Sequence, residues 1–177
     1  LLFILCSVSV FPQTTRDSKT SIAGDVSDLN ELLQSSNPGD TILLKNGTWR
    51  DAELEISANG EENSPIVIMA QERGKVFIEG ESFLKIGGNF IVVDGLVFRN
   101  GYTPSNSVIQ FKIDNDQIAN NSRVTNCVIE NFTQPNRETQ DHWVEFWGRN
   151  NQMDQCYIAG KSNSGPTLRV YLKGNEN

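Results

Sequence analysis

The chain has 177 residues and a formal net charge of −7, with 15 Lys and Arg against 22 Asp and Glu. This length suits one domain or a piece of a larger protein, and the acidic balance argues against nucleic acid as a partner, because a phosphate-binding surface is basic. It does not exclude an anionic polysaccharide, since a local basic groove can lie within an acidic surface.

An apolar run occupies the first ten residues and is followed by Pro12 and a polar stretch. Such a run is too short to span a bilayer and is typical of the apolar part of a secretory signal. We therefore predict that residues 1–22 are a signal-peptide remnant and leader, that the protein is secreted or periplasmic in a bacterium, and that no segment spans a membrane. A buried first strand is the alternative, and Cys6 after Leu5 leaves an outer-membrane lipoprotein open.

The next segment, residues 27–34, has an N-cap candidate at Ser27 and apolar residues at Leu29, Leu32 and Leu33. This spacing predicts a short amphipathic helix. It ends before Asn37-Pro-Gly-Asp40, because a residue before proline disfavours helical backbone and glycine supplies turn geometry. A helix at this place is expected to cover the open end of the strands that follow and to protect a sheet edge.

From Thr41 onward nearly every predicted element is a short strand bounded by Asn-Gly, Gly-Gly, Gly-Asn or Ser-Pro turn signals. The predicted strands are Thr41–Leu44, Ala52–Ile56, Ile66–Ala70, Val76–Ile78, Phe83–Ile86, Ile91–Phe98, Val108–Ile113, Val124–Ile129, Trp143–Trp147, Met153–Ile158 and Leu168–Leu172.

A repeat runs through these strands. Leu96, Cys127 and Cys156 occupy equivalent places in successive copies of roughly 30 residues, which is the range of solenoid repeats. A second row of strands, beginning at Phe83, Val108, Trp143 and Leu168, keeps step with the first. The pattern predicts an all-β fold, a right-handed parallel β-helix with a short N-terminal capping helix, because copies this short must stack to bury their apolar faces. An antiparallel sandwich is the alternative.

The predicted β-helix domain covers residues 23–177 and is interpreted as an N-terminal part, because solenoids need caps at both ends and none follows the last strand. Cys127 and Cys156 are expected to stack inward as free thiols, since disulfide geometry across neighbouring parallel strands is awkward.

Single motifs that could carry chemistry are weak in this chain. His142 is the only histidine, and a lone histidine beside Trp143 is more often structural than a base or a metal ligand. Asp114 and Asp116 could bind calcium, although turn chemistry explains them better. Trp49, Trp143 and Trp147 could stack on sugar rings, although core packing explains Trp143 and Trp147 at least as well.

A basic pair is more informative. Lys161 and Arg169 lie on either side of a Gly/Ser/Asn turn at a strand end, where a charged polymer could be held, although a solvated basic loop explains them equally well. We take Lys161, Arg169 and His142 as the candidate substrate-binding residues. No catalytic residue and no metal ligand is assigned in these residues.

Several segments together resemble one known family. They are Asn46-Gly-Thr-Trp49, Ser64-Pro-Ile-Val-Ile-Met-Ala70, Val93-Asp-Gly-Leu-Val-Phe98, His142-Trp-Val144 with Gly148, and Gly160-Lys-Ser-Asn-Ser-Gly-Pro-Thr-Leu168. Their order and spacing resemble the N-terminal half of the polysaccharide lyases of family 6, the chondroitinase B and alginate lyase group. The resemblance runs from about Ala23 to the last residue.

The resemblance implies a secreted parallel β-helix that cleaves uronic-acid polymers by β-elimination. A cation, usually calcium, or a positive side chain neutralises the C5 carboxylate, a lysine removes the C5 proton and an arginine helps to protonate the departing O4. The family's Asn, Glu-x-Glu, Asn-Lys-Ser and Arg-His-Gly motifs for these roles match no position in residues 1–177. Lys161 lies in the family's earlier Gly-Lys turn, so the catalytic residues are expected beyond Asn177.

The leading hypothesis is therefore the N-terminal part of a secreted, monomeric lyase for alginate or a dermatan- or chondroitin-type polymer. Calcium is expected as the cofactor of the full-length protein, and the isolated chain is predicted to be inactive. The alternative is a non-catalytic β-helical surface adhesin or carbohydrate-binding protein. A uronan epimerase or a polygalacturonase-like hydrolase is a third possibility, although residues 1–177 lack the Asp cluster of such a hydrolase.

Overall fold

The computed structural model describes residues 17–171. Within this range the chain forms one helix, α1 (Val26–Gln34), and seventeen short strands. The strands are β1 (Thr20–Ala23), β2 (Thr41–Leu44), β3 (Gly47–Arg50), β4 (Glu53–Asn59), β5 (Ile66–Ala70), β6 (Val76–Glu81), β7 (Phe83–Asn89), β8 (Ile91–Asp94), β9 (Val97–Tyr102), β10 (Ser107–Gln110), β11 (Ala119–Asn120), β12 (Arg123–Thr125), β13 (Val128–Glu130), β14 (His142–Phe146), β15 (Gln152–Asp154), β16 (Tyr157–Ala159) and β17 (Leu168–Val170).

Three parallel sheets wrap around one core. The first sheet has the order β1-β2-β5-β8-β12-β15, the second β3-β6-β9-β13-β16, and the third contains β4, β7, β10, β14 and β17, with β11 beside the end of β7. The chain enters the three sheets in the same order on each turn, so each strand pairs with strands one turn away. This topology confirms the predicted parallel β-helix and contradicts the antiparallel sandwich.

The prediction of two strand rows was incomplete, because each long strand of the first row bends into two. Gly95, Asn126 and Gln155 have φ of 83°, 52° and 52°, and this left-handed backbone separates the first sheet from the second. Glycine and asparagine tolerate that conformation best, so the bends follow from residue type at two of the three positions. The missed strand β3 belongs to the second sheet.

Inward side chains form continuous apolar columns. In the third sheet Leu84 pairs with Ile109, which pairs with Val144, and each of these side chains is fully buried. In the first sheet Ile68 and Val93 form an equivalent column. Burying apolar surface at about 25 cal/mol per Å² drives this stacking, because no single turn can shield its own inner face.

The predicted column of Leu96, Cys127 and Cys156 is confirmed. Cys127 follows Leu96 and precedes Cys156 in the strand register, and the Cys127 amide donates to Cys156 Sγ at 3.4 Å. Leu96 and Cys127 are buried, and Cys156 packs against the core while half-buried. Both cysteines are free thiols, as expected.

Helix α1 begins earlier than predicted. Its N-cap is Asp25, whose Oδ1 accepts from the Asp28 amide at 2.9 Å, and Ser27 already lies inside the first turn. The sequence offers both residue types that favour this position, and only the backbone conformation decides between them. Leu29 and Leu33 are buried, and α1 contacts β1, β2 and β4, so the helix covers the first turn of the solenoid.

The predicted leader extends too far along the chain. Thr20–Ala23 form β1, which pairs with β2 in parallel register and lies at the edge of the first sheet. The predicted domain boundary at residue 22 therefore falls inside a strand. The predicted signal remnant lies mainly in residues 1–16, outside the described residues. No helix among residues 17–171 is long and apolar enough to cross a membrane.

The predicted strand Val108–Ile113 ends at Gln110 because a turn follows it. Asp114 Oδ1 accepts from the amides of Asp116 and Gln117 at 2.8 Å and 2.9 Å, which is the local turn that aspartate favours. This confirms turn chemistry for Asp114. The turn leads into β11, a strand that the sequence pattern did not predict.

Candidate functional site

A polar and aromatic surface lies on the outward side of the third sheet. Strand alternation turns Leu84, Ile109 and Val144 inward, so their neighbours in the next register position face outward. Those neighbours, Lys85, Gln110, Glu145 and Arg169, pair in sequence across β7, β10, β14 and β17. The surface near β14 and β17, formed by Lys112, His142, Glu145, Trp147, Arg169 and Tyr171, is called the arginine groove below.

A chain of hydrogen bonds links Glu145, His142 and Arg169. His142 Nδ1 lies 3.0 Å from Glu145 Oε1 and 3.2 Å from the Asn106 carbonyl oxygen. On the other side of the ring, Arg169 Nη1 lies 3.2 Å from His142 Nε2. Because a guanidinium can only donate, Nε2 must accept and the ring proton must lie on Nδ1. The histidine therefore holds Arg169 in place through a defined tautomer.

Burial separates the roles of these side chains. His142 is 7% exposed and Glu145 is 3% exposed, whereas Arg169 is an exposed residue. The imidazole and the carboxylate thus form the wall of the groove, and the guanidinium is the group that a ligand can reach. Asn106, Gln140 and Tyr171 complete a cavity of about 260 Å³ around them.

Aromatic rings continue the groove on one side. Trp147 and Tyr171 stack with ring centroids 3.9 Å apart and an interplanar angle of 11°. Lys112 Nζ lies 4.0 Å from the Trp147 ring centroid, and the Arg169 guanidinium lies 4.3 Å from that of Tyr171. Two cations are therefore held over the outer faces of two stacked rings, an arrangement that favours an anionic ligand.

Lys161 does not lie in this groove's hydrogen-bond chain. Its ammonium lies 2.7 Å from Asp141 Oδ1, 2.9 Å from Asn163 Oδ1 and 3.1 Å from the Ser164 carbonyl oxygen. The Lys161 side chain is 8% exposed and that of Asp141 is fully buried. Gln134 donates to the second oxygen of Asp141 at 3.1 Å. The structure thus brings His142 and Arg169 together and uses Lys161 to fix the segment before β14.

The described residues do not fit a calcium site. Among residues 17–171 no three His, Cys, Asp or Glu side chains group closely enough to hold a metal ion. One carboxylate oxygen of Asp114 is already used by two backbone amides. Calcium prefers six to eight oxygen ligands, and the turn around Asp114 and Asp116 does not supply such a set.

Sequence reasoning missed Glu145, Lys112 and Tyr171 as members of the groove. The signal was present in the strand register, because Glu145 aligns with Arg169 once β14 is paired with β17. The two tryptophans of this segment differ in burial. Trp143 is fully buried, whereas Trp147 is partly exposed and stacks on Tyr171. Alternation alone placed both on one strand face and did not show which of them is covered.

Comparison with known proteins supplies the family. The family model described as chondroitinase B matches residues 23–177. The alginate lyase AlyGC, of polysaccharide lyase family 6, superposes with a TM-score of 0.87 at 42% identity, over 88% of this chain and 22% of that one. No curated protein sequence matches the chain.

Two further solved structures are similar. A family 6 polysaccharide lyase from Pseudopedobacter saltans has a TM-score of 0.79 at 32% identity, over 86% of this chain and 34% of its own. A mannuronic acid specific family 6 lyase from human gut microbiota has a TM-score of 0.79 at 29% identity, over 89% of this chain and 37% of its own. The chain therefore spans between about a fifth and just over a third of these relatives.

Proposed function

The chain belongs to polysaccharide lyase family 6, the chondroitinase B and alginate lyase group, and on that premise we propose that it forms the N-terminal turns of a secreted lyase that cleaves uronic-acid polymers by β-elimination. The arginine groove carries this proposal. An exposed Arg169 fixed by His142, with Lys112 and two stacked rings beside it, is suited to a polymer that bears one carboxylate on each sugar.

Alginate is the substrate that we favour over dermatan- or chondroitin-type polymers. The relatives at 42% and 29% identity are described as an alginate lyase and a mannuronic acid specific lyase. The groove offers two cations, Lys112 and Arg169, that can bind carboxylates. A non-catalytic adhesin would need the same binding surface, and no observation favours it over the enzyme.

In β-elimination the C5–H bond breaks, its electron pair forms the C4=C5 double bond, the C4–O4 bond breaks, and the departing O4 takes a proton. The groove residues bind and orient the polymer in this scheme. Arg169 pairs with a uronate carboxylate, His142 and Glu145 hold the guanidinium, and the stacked rings of Trp147 and Tyr171 hold Lys112 and Arg169 over their outer faces. We assign the proton transfers and the calcium-binding role to residues beyond Asn177 of a longer protein. We further propose that this protein is a monomer and is secreted or periplasmic. Attachment to the outer membrane as a lipoprotein through Cys6 is the alternative localisation.

Oligouronate binding to the chain tests the proposal. Mannuronate and guluronate oligosaccharides are titrated calorimetrically into the chain and into Arg169→Gln, with a neutral malto-oligosaccharide of equal length as the ligand control. Loss of one charge-assisted contact is expected to weaken acidic oligosaccharides roughly tenfold and the neutral one little. Arg50→Gln, an exposed arginine of the second sheet paired with Glu79, is the matched control. Equal binding by Arg169→Gln and the unchanged chain would contradict the proposal.

The role of His142 is tested by a double-mutant cycle. If the imidazole acts by holding Arg169, His142→Ala weakens oligouronate binding in the unchanged chain and has little further effect in Arg169→Gln. Additive losses would mean that His142 contacts the ligand itself. The chain alone is expected to form no unsaturated product, and product absorbance with the isolated chain would overturn the assignment of catalysis to later residues.

A further inference from the structure

A second cleft lies at the corner between the third and first sheets, where the chain leaves β4, β7, β11 and β14. It measures about 680 Å³ and is more than twice as large as the cavity around Arg169. Its walls are mainly polar and consist largely of residues with side-chain amides. Its lining includes four asparagines, one aspartate and one arginine, which are Asn59, Asn89, Asn121, Asn150, Asp116 and Arg149.

Backbone geometry explains only some of these asparagines. Asn121 and Asn150 have φ of 52° and 54°, the left-handed conformation that asparagine tolerates. Asn59 and Asn89 are strand residues that pair with each other in register, where asparagine is disfavoured by strand propensity. Both residues end their strands, and the hydrogen bond between their stacked amides stabilises them there.

The amides do not use up one another's hydrogen-bonding capacity. Asn89 Nδ2 donates to Asn59 Oδ1 at 3.0 Å, and Asn150 Nδ2 donates to Asn121 Oδ1 at 3.0 Å. Within residues 17–171 these bonds leave Nδ2 of Asn59 and Asn121 as donors, and Oδ1 of Asn89 and Asn150 as acceptors. Two amide pairs on neighbouring columns thus offer alternating donors and acceptors to the cleft.

One cation and one carboxylate face the same space. Arg149 is exposed, and no carboxylate within the described residues pairs with its guanidinium. Asp116 also lines the cleft, in the turn held by Asp114. This balance disfavours a small, highly charged anion, and the polar walls disfavour an apolar ligand.

We propose that this corner cleft is a second carbohydrate-binding site, which holds an acidic oligosaccharide away from the arginine groove. Amide pairs suit the adjacent hydroxyl groups of a sugar ring, because each hydroxyl both donates and accepts. Arg149 binds a carboxylate with two parallel hydrogen bonds, and Asp116 accepts from a hydroxyl. The choice of a uronate as the acidic sugar rests on the proposed function, whereas the polar cleft stands independently of it.

A single polymer that occupies both sites would bind more tightly than one that occupies either site alone, without any new contact at either site. The two sites are linked by the short segment Trp147-Gly148-Arg149, in which Trp147 belongs to the arginine groove and Arg149 to the corner cleft. Binding at one site therefore raises the effective concentration of the same polymer at the other.

Titration of the chain with a mannuronate tetrasaccharide tests the site. Two binding events per chain are expected by calorimetry, with shifts of the Asn59, Asn89, Asn121 and Asn150 side-chain amide signals in nitrogen-15 NMR spectra. Arg149→Gln changes an exposed side chain outside any ion pair of the described chain, so its fold is expected to be unaffected. This variant should lose one event or weaken it roughly tenfold, and should leave the other unchanged.

Arg169→Gln provides the complementary arm and should remove only the event in the arginine groove. If Arg149→Gln leaves both events intact and the four amide signals do not move, the corner cleft is not a site, and the proposed function stands on the groove alone. If Arg169→Gln leaves both binding events unchanged while Arg149→Gln weakens one of them, the proposal for the arginine groove fails and the proposal for the corner cleft stands. If Arg149→Gln weakens the binding of a neutral malto-tetrasaccharide as much as it weakens the binding of the mannuronate tetrasaccharide, the inference that the cleft binds an acidic sugar is wrong.

Discussion

Burial turns Lys161 from a predicted surface cation into part of an internal ion pair. Both oxygens of Asp141 and the ammonium of Lys161 have partners, and the two side chains are 0% and 8% exposed. Removing one member of such a pair leaves an uncompensated charge, which is more harmful than the loss of the attraction itself.

Lys161→Met is therefore expected to lower the free energy of unfolding by about 3–5 kcal/mol. The double variant Lys161→Met with Asp141→Leu should recover part of that loss, because no charge then remains buried. Urea unfolding followed by circular dichroism measures both. Lys85→Met is the matched control, since Lys85 pairs with a half-exposed Glu55 and should change stability by less than about 1 kcal/mol. Equal effects of the two lysine variants would contradict the internal pairing.

The two stacked cysteines differ in proton affinity. Hydrogen bonding from the Cys127 thiol lowers the pKa of Cys156 to about 7, and the same contact, with burial, raises the pKa of Cys127 well above its ordinary value. Above about pH 7 Cys156 is therefore mostly thiolate, while Cys127 keeps its proton.

Alkylation by iodoacetamide should accordingly modify Cys156 first, with a rate that rises as the pH passes through about 7. The measurement uses a Cys6→Ser background and locates the label by mass spectrometry. Cys127→Ala removes the thiol donor and keeps the backbone amide bond, so the pKa of Cys156 should move part of the way back up and the rate at neutral pH should fall several-fold. A rate that is independent of pH in this range would argue against the thiol contact.

At the scale of single residues, sequence reasoning succeeded where the repeat itself carried the information. Leu96, Cys127 and Cys156 were placed in one column because equivalent positions in a solenoid stack. The partner of Lys161 could not be found in this way, because Asp141 lies 20 residues earlier and outside the repeat. Pairings that depend on how a loop folds back are not encoded in local periodicity.

The number of sheets in the solenoid depends on where strands end in residues with left-handed backbone. The sequence predicted two rows because the apolar pattern runs on through Gly95, Asn126 and Gln155, and the bend at these positions produces a third sheet. Gly95 and Asn126 are the residue types that mark such bends, whereas Gln155 gives no signal. The presence of the strands was therefore predictable from the sequence, whereas the positions at which a long strand divides into two were predictable only in part.

The start of α1 yields a prediction at this scale. Asp25 caps the helix through its carboxylate, and Ser27, the predicted cap, makes no capping bond within the described residues. Asp25→Ala should therefore lower the free energy of unfolding by about 1 kcal/mol, and Ser27→Ala should change it little. Thermal unfolding of the two variants against the unchanged chain measures the difference. A larger loss for Ser27→Ala would return the cap to the residue that the sequence suggested.

For the whole molecule, stability in a solenoid comes from contacts between neighbouring turns. Fold class and the parallel stacking were predictable because they depend on a repeated pattern along the chain. The family was predictable from a different signal, the order and spacing of several segments that resemble it. Of the arginine groove, the sequence predicted only His142 and Arg169 as binding residues and Trp147 as a possible sugar-stacking residue. Glu145 and Tyr171 join them through the register of β14 and β17, which only the assembled turns define.

This nearest-neighbour architecture makes the effect of a core substitution depend on its turn. Leu84 and Leu168 belong to one inward column, but Leu84 is covered on both sides and fully buried, whereas Leu168 in the last described strand is 51% exposed. Leu84→Ala is expected to lower the free energy of unfolding by about 2–5 kcal/mol, and Leu168→Ala by less than about 1 kcal/mol. Urea unfolding of the 177-residue chain compares the two directly, and amide hydrogen exchange should show fast opening of β17 and slow opening of β7. Similar losses for both variants would mean that Leu168 is covered by another part of the chain, and that the turn carrying Arg169 is as firmly held as the turns in the middle of the solenoid.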